Sequence, residues 1–151
     1  MLPNTSFEII TSALSAAIIA QLIKLIICLI KKQKINFEIF VQMGGMPSSI
    51  SAFIVAIATS IELISGYRSI EFAIAMGYTL IIMYDAAGLR RSASKIGSAL
   101  NKIVDDYYGD KSNKYHSEKI FEVLGHTPFE VLVGGVLGLT ISMYYHYLLL
   151  R

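Results

Sequence analysis

The chain has 151 residues, of which 54% are hydrophobic, and a net charge of only +2; its mean hydropathy is +0.58. That is more apolar surface than a soluble domain of this length can bury, and the apolar residues fall in long runs. A single cysteine excludes an intrachain disulfide framework, and no dinucleotide fingerprint or Ser-His-Asp pattern is present. The composition therefore points to an all-α, polytopic membrane protein forming a single membrane domain over 1–151.

A hydrocarbon core of about 30 Å takes about 20 apolar residues as helix, and four segments approach or meet that length: 7–30, 47–64, 70–88 and 128–150. The first lacks a basic leader and a small-residue cleavage site, so it is expected to stay as a helix. Thr5 and Glu8 have the spacing of a capping box ahead of it, and Lys31, Lys32 and Lys34 suit its C-terminal end. Cys28 lies mid-span as a small packing residue. Gly44-Gly45 breaks the chain, and Pro47 is expected in the first turn of the second helix. The second and third spans are short and rich in Ala and Gly, which suits helices tilted or sheltered by neighbours. Gly66 ends the second, and the short Ser65–Ser69 turn makes the pair an antiparallel hairpin.

The only sizeable polar stretch is 89–126. In its first part Leu89, Ala93, Ile96, Leu100 and Ile103 recur at three and four, with Arg90, Arg91, Lys95 and Lys102 largely elsewhere. That pattern predicts an amphipathic helix lying in the interface. A polar loop is expected over 105–117, with His116 in it, then a short helix over 117–124 closed by Gly125. Thr127-Pro128-Phe129-Glu130 carries the cap, proline and acid of a helix start. In the span that follows, Gly134 and Gly138 form a small-xxx-small pair suited to helix packing. Tyr144, Tyr145 and Tyr147 make an aromatic belt, and His146 is expected among them as an interfacial residue.

Four alternating spans put Lys31, Lys32, Lys34, Arg90, Arg91, Lys95, Lys102, Lys111, Lys114 and Lys119 on one side of the membrane, against Arg68 and Arg151 on the other. The positive-inside rule then makes 89–126 cytoplasmic and both termini external, in a plasma or inner membrane. Lipid headgroups and topology account for the basic residues, so the expected partners are membrane lipids and not nucleic acid. Short spans and small-residue faces are compatible with a homo-oligomer.

The same alternation gathers polar groups on the basic side: the Gly44–Ser51 loop, Tyr84 and Asp85 with Arg90 and Arg91, the His126–Glu130 turn, and Lys24 snorkelling from the first span. Two helices begin in this layer, and helix N-termini, glycine nests and arginines all suit a phosphate. Each residue also has a structural role open to it. Thr127 and Glu130 fit a capping box, His126 a turn, and Asp85 an ion pair with Arg90 or Arg91, although an acid at membrane depth suggests function. Asp85, Asp105, Asp106, His126 and Glu130 lack metal-ligand spacing, so neither a metal nor another cofactor is expected.

Three blocks carry a resemblance: Gly44-Gly45-Met46-Pro47-Ser48-Ser49-Ile50-Ser51-Ala52, Met83-Tyr84-Asp85-Ala86-Ala87-Gly88-Leu89-Arg90-Arg91, and Leu124-Gly125-His126-Thr127-Pro128-Phe129-Glu130-Val131. Their order and spacing, from about Gln21 to Gly138, resemble the divergent type-2 phosphatidic acid phosphatase family, an offshoot of the lipid phosphatases and vanadium haloperoxidases. The resemblance implies a lipid or isoprenoid phosphate ligand, His126 as a phosphorus-attacking nucleophile, Glu130 as its orienting acid, and Ser48 and Ser49 as phosphate ligands. Lys24 matches the superfamily's first-motif lysine. The family pattern has a proton-donating histidine where this chain has Ile50, which removes a contribution of about 10²–10⁴-fold from general acid catalysis. The superfamily's Ser-Arg before the later histidine is replaced by Lys119-Ile120, and the cytoplasmic site differs from the external one usual for such enzymes. Two functions follow: a membrane phosphatase using a phosphohistidine, or a non-catalytic membrane protein that keeps the phosphate cradle or only the architecture.

Overall fold

The computed structural model describes residues 6–30, 45–108 and 125–149, and all regular structure in them is helical. The elements are α1 (Ser6–Ile30), α2 (Ser49–Ser65), α3 (Ile70–Ala87), α4 (Leu89–Tyr108) and α5 (Pro128–Tyr144), the last running into a π-helical turn at Tyr145–Leu149. Lys31, Lys32, Lys34 and Thr5 lie outside the described residues, as do His116 and the helix expected over 117–124.

The second helix starts later than its sequence suggests. Ser48 is its N-cap, its Oγ accepting from the Ser51 amide at 3.3 Å. Pro47 therefore precedes the cap instead of occupying the first turn, and the Met46–Pro47 peptide is cis. At the far end Gly66, with φ of +86°, donates its N–H to the Glu62 carbonyl at 2.8 Å and closes the helix. Ser69 caps α3 by accepting from the Phe72 amide at 3.1 Å, which completes the antiparallel α2–α3 hairpin. Gly88 (φ −109°, ψ −78°) departs from α-helical geometry and separates α3 from α4. Residues 105–108, expected in a polar loop, are instead the end of α4, and the rest of that stretch lies outside the described residues.

Among the described residues, three stretches are long and apolar enough to cross a membrane: Ser6–Ile30, Ile70–Val104 and Pro128–Leu148, with mean hydropathies of 2.4, 1.5 and 1.4. The fourth, α2, has 17 residues, or about 26 Å of helix. It packs against α1, α3 and α5, so neighbours shelter it and its Ser, Thr and Ala content meets little lipid. Its core contacts are small: Ala52 and Ala56 lie with Ala13, Ala16 and Ala20 of α1, all fully buried. Small side chains are the means by which apolar helices approach closely in lipid, where burial alone gives no driving force. On α5, Gly134 faces the Ser48 carbonyl and Gly138 the Ala52 carbonyl so closely that a β-carbon at either would collide with the oxygen. The small-residue pair is thus a packing device. Gly138→Leu is expected to destabilise the bundle by about 1–3 kcal/mol, read as a lower thermal midpoint in detergent. Gly77→Leu, with open space around its β-position, should leave the midpoint unchanged.

The terminal end of the bundle is held by polar contacts. Ser12, Ser60 and Ser142, all fully buried, form a hydroxyl chain across α1, α2 and α5 at 2.7 and 2.8 Å. Glu8, 2% exposed, meets His146 Nδ1 at 2.8 Å, and Tyr145 reaches Ser15 at 2.8 Å. His146 is therefore a partner to a buried carboxylate and not simply an interfacial residue. Tyr144 and Tyr147 are about half exposed, consistent with a belt.

Candidate functional site

At the opposite end, the last turns of α1 and α3 meet the starts of α2 and α5. Here the His126–Glu130 turn is tied to three elements. The His126 amide donates to the Ala86 carbonyl of α3 at 3.1 Å, and the Ser48 amide of α2 donates to the Glu130 carbonyl at 3.2 Å. Gly125 rests on the Arg90–Arg91 backbone, where any side chain at 125 would collide. The glycine before the histidine is thus required by a close backbone approach.

The Glu130 carboxylate serves two purposes with one oxygen. Oε2 accepts from the Thr127 amide at 3.0 Å while Thr127 Oγ1 accepts from the Glu130 amide at 3.3 Å, a complete capping box. The same Oε2 lies 3.3 Å from His126 Nδ1. A carboxylate only accepts, so Nδ1 carries the proton and Nε2 is left with its lone pair. The capping and orienting roles are compatible. The capping box takes up the Thr127 and Glu130 amides and Pro128 has none, so α5 keeps only the Phe129 amide in its first turn, whereas α2 keeps those of Ser49 and Ile50.

His126 is 1% exposed, and its Nε2 is buried with no hydrogen-bond partner among the described residues. Orphaned buried nitrogens are uncommon and costly. Burial of the ring holds its pKa below the ordinary histidine value; the Glu130 bond opposes that shift, Lys24 adds to it, and the nearby Gly45 backbone opposes it without reaching Nε2 in hydrogen-bond geometry. Lys24, 8% exposed, lies along Gly45 and within electrostatic range of both His126 and Glu130. An intramembrane lysine aimed at a histidine–carboxylate pair is costly to bury and marks a site.

The remaining expected residues divide. Ser48 is fully buried, but its Oγ is engaged by Ser51, whose hydroxyl donates at 3.0 Å. Ser49 accepts from Gln21 of α1 at 3.1 Å. Ile50 faces a groove of about 460 Å³ between α1 and α2, lined also by Ala17, Ile18, Gln21, Leu22, Ser49 and Phe53. Arg90 pairs with Asp85 at 2.8 Å, both about one-third exposed, as the structural role of Asp85 requires. Arg91 has an exposed side chain and meets the turn through its backbone. Tyr84 is 76% exposed and stands away from the turn. Gly45 belongs to the loop that the sequence singled out, whereas Gln21, which bonds Ser49, was missed. Gln21 is one turn before Lys24 in an otherwise apolar run, a spacing that marks one face of α1.

The model of the Divergent PAP2 family matches residues 5–141. The uncharacterized membrane protein YuiD of Bacillus subtilis (strain 168) is 35% identical over 148 residues, covering 92% of this chain and 93% of its own. No solved structure matches. With the His126–Glu130 turn, the capped Ser48 loop and the apolar bundle in place, the chain belongs to the Divergent PAP2 family of membrane proteins.

Proposed function

We propose that this protein binds the phosphate of a lipid or isoprenoid phosphate against the first turn of α2 and transfers it to His126 Nε2. The observation that carries this reading is the imidazole itself, one nitrogen bonded to Glu130 and the other buried without a partner among the described residues. Lys24 supplies a cation within electrostatic range of the imidazole, and the first-turn amides beyond Ser48 supply donors. Arg90, held by Asp85, and Arg91 contribute positive potential from behind the turn. The groove lined by Ile18, Leu22, Ile50 and Phe53 opens beside Ser49 and suits the ligand's hydrocarbon. The test is phosphate release from alkyl and isoprenoid phosphates by purified protein, alongside binding of orthovanadate as a phosphate mimic. Release with vanadate inhibition supports catalysis. Vanadate binding without release supports the second reading, a headgroup cradle without turnover, which Ile50 favours. Neither binding nor release overturns both.

The charge distribution supports a site in the cytoplasmic half of a plasma or inner membrane, with the termini outside. Ser98, exposed on α4, provides the probe. In a Cys28→Ala background, Ser98→Cys is expected to resist an impermeant thiol reagent in intact cells and to react after permeabilisation. Labelling in intact cells would invert the orientation.

A further inference from the structure

Helix α4 has three distinct faces. At 3.6 residues per turn, Leu89, Ala93, Ile96, Leu100 and Ile103 fall within about 40° of one line along it. Every one of these is exposed, with Leu89, Ile96 and Ile103 between 62% and 67%. Arg91, Lys95 and Lys102, also exposed, lie about 120–160° round from that line. Gly97 and Asn101 occupy a third face and are buried. Among the described helices, the main contacts of α4 are with α3, from which only Gly88 separates it. An apolar line about four turns long is therefore left uncovered by the described residues at the end of a membrane-crossing helix.

We infer that α4 docks on an anionic lipid leaflet, its apolar line entering the acyl boundary while Arg91, Lys95 and Lys102 engage acidic headgroups, and that this seating is transmitted to the His126 turn. Continuity with α3 holds the helix at the membrane surface, which favours lipid over a soluble partner, and the charge of its basic face is complementary to acidic headgroups. The transmission is short. The backbone of Arg90 and Arg91, in the first turn of α4, is the surface on which Gly125 rests, and the next residue is His126. Tilting α4 moves that surface directly. The docking half stands without any assumption about catalysis; the coupled half rests on the proposed phosphate site.

The experiment places nitroxide labels in a Cys28→Ala background at Ile96→Cys, Ile103→Cys and Ser98→Cys, with Gly77→Cys as a lipid-facing control. Protein is reconstituted in phosphatidylcholine vesicles with and without phosphatidylglycerol. Positions 96 and 103 are expected to be accessible to oxygen and shielded from an aqueous nickel chelate, with the reverse at 98. Lys95→Gln with Lys102→Gln, or high salt, should erase the difference between anionic and neutral vesicles. Chelate access at 96 and 103 in both lipids overturns the docking. So does spin–spin broadening at 103 that disappears on dilution with unlabelled protein, which would put a second copy on the face. Equal depth in both lipids overturns the recognition of acidic headgroups. For the coupling, amide exchange at 125–127 should slow in anionic vesicles of these phosphodiester lipids without any added phosphate monoester. Unchanged exchange with a docked helix overturns the coupling and leaves the phosphate site to its own test.

Discussion

His126→Ala is expected to abolish phosphate release from every substrate, while Glu130→Gln is expected to reduce it by up to about 10⁴-fold without loss of stability. The two variants separate chemistry from architecture. Glutamine fits the same position of a capping box as glutamate, so the start of α5 and its thermal midpoint should survive. What changes is the partner of Nδ1. The amide oxygen can keep both the cap and the Nδ1 proton, but it is neutral and no longer stabilises the positive charge that the ring gains on attack. If Glu130 were only a cap, Glu130→Gln would leave both phosphate release and vanadate affinity unchanged. The pH profile gives a second check. Burial lowers the His126 pKa, so the neutral, attacking ring persists to below the ordinary value of about 6.5. Activity should be flat through neutrality and fall only in more acidic solution. Stability follows the same sign, because the unfolded chain binds the proton more readily. The contribution is complete above about pH 6.5 and is lost as the pH falls through the lower folded value.

The periodicities that set the fold were legible because they are local. Apolar run lengths located the four spanning helices, and the 89–103 stripe located α4. Alternation across the membrane then brought Lys24, the Ser48 loop and His126 to one side, and the bundle places them together. Less legible were features that depend on which partner a side chain finds. Ser48 looked like a ligand from its motif, yet its hydroxyl caps α2 and meets Ser51. The contact of Glu8 with His146, 138 residues away in the chain, has no local signal. Ser12, Ser60 and Ser142 are unremarkable singly, and only the helix register shows them as one chain of hydroxyls. The start of α2 was misplaced by two residues because proline suits both a first turn and the segment before a cap, and the bond from Ser51 decides between them.

The other large effect turns on position 50. Attack by His126 on a lipid phosphate expels an alkoxide, which needs a proton as it leaves, and Ile50 has none to give. An aryl phosphate such as nitrophenyl phosphate expels an anion that is already stable, so the chain as it stands should hydrolyse aryl phosphates faster than alkyl ones. Position 50 is the second residue of α2, and helical side chains lean toward the N-terminus of their helix. A histidine there is directed from the α1–α2 groove toward the layer that contains Lys24 and Ser49. If the ligand's hydrocarbon occupies that groove, the leaving oxygen lies between the groove and the phosphate, where such a histidine reaches. Ile50→His is therefore expected to raise kcat on alkyl phosphates by about 10²–10⁴-fold and on aryl phosphates much less. The substituted residue is half-buried at a groove mouth, so the thermal midpoint should change little, and a preserved midpoint shows that the variant is folded. A folded Ile50→His protein that still leaves alkyl phosphates intact, while binding vanadate, would show that the missing acid is not what limits turnover. The headgroup-binding reading would then replace the phosphatase.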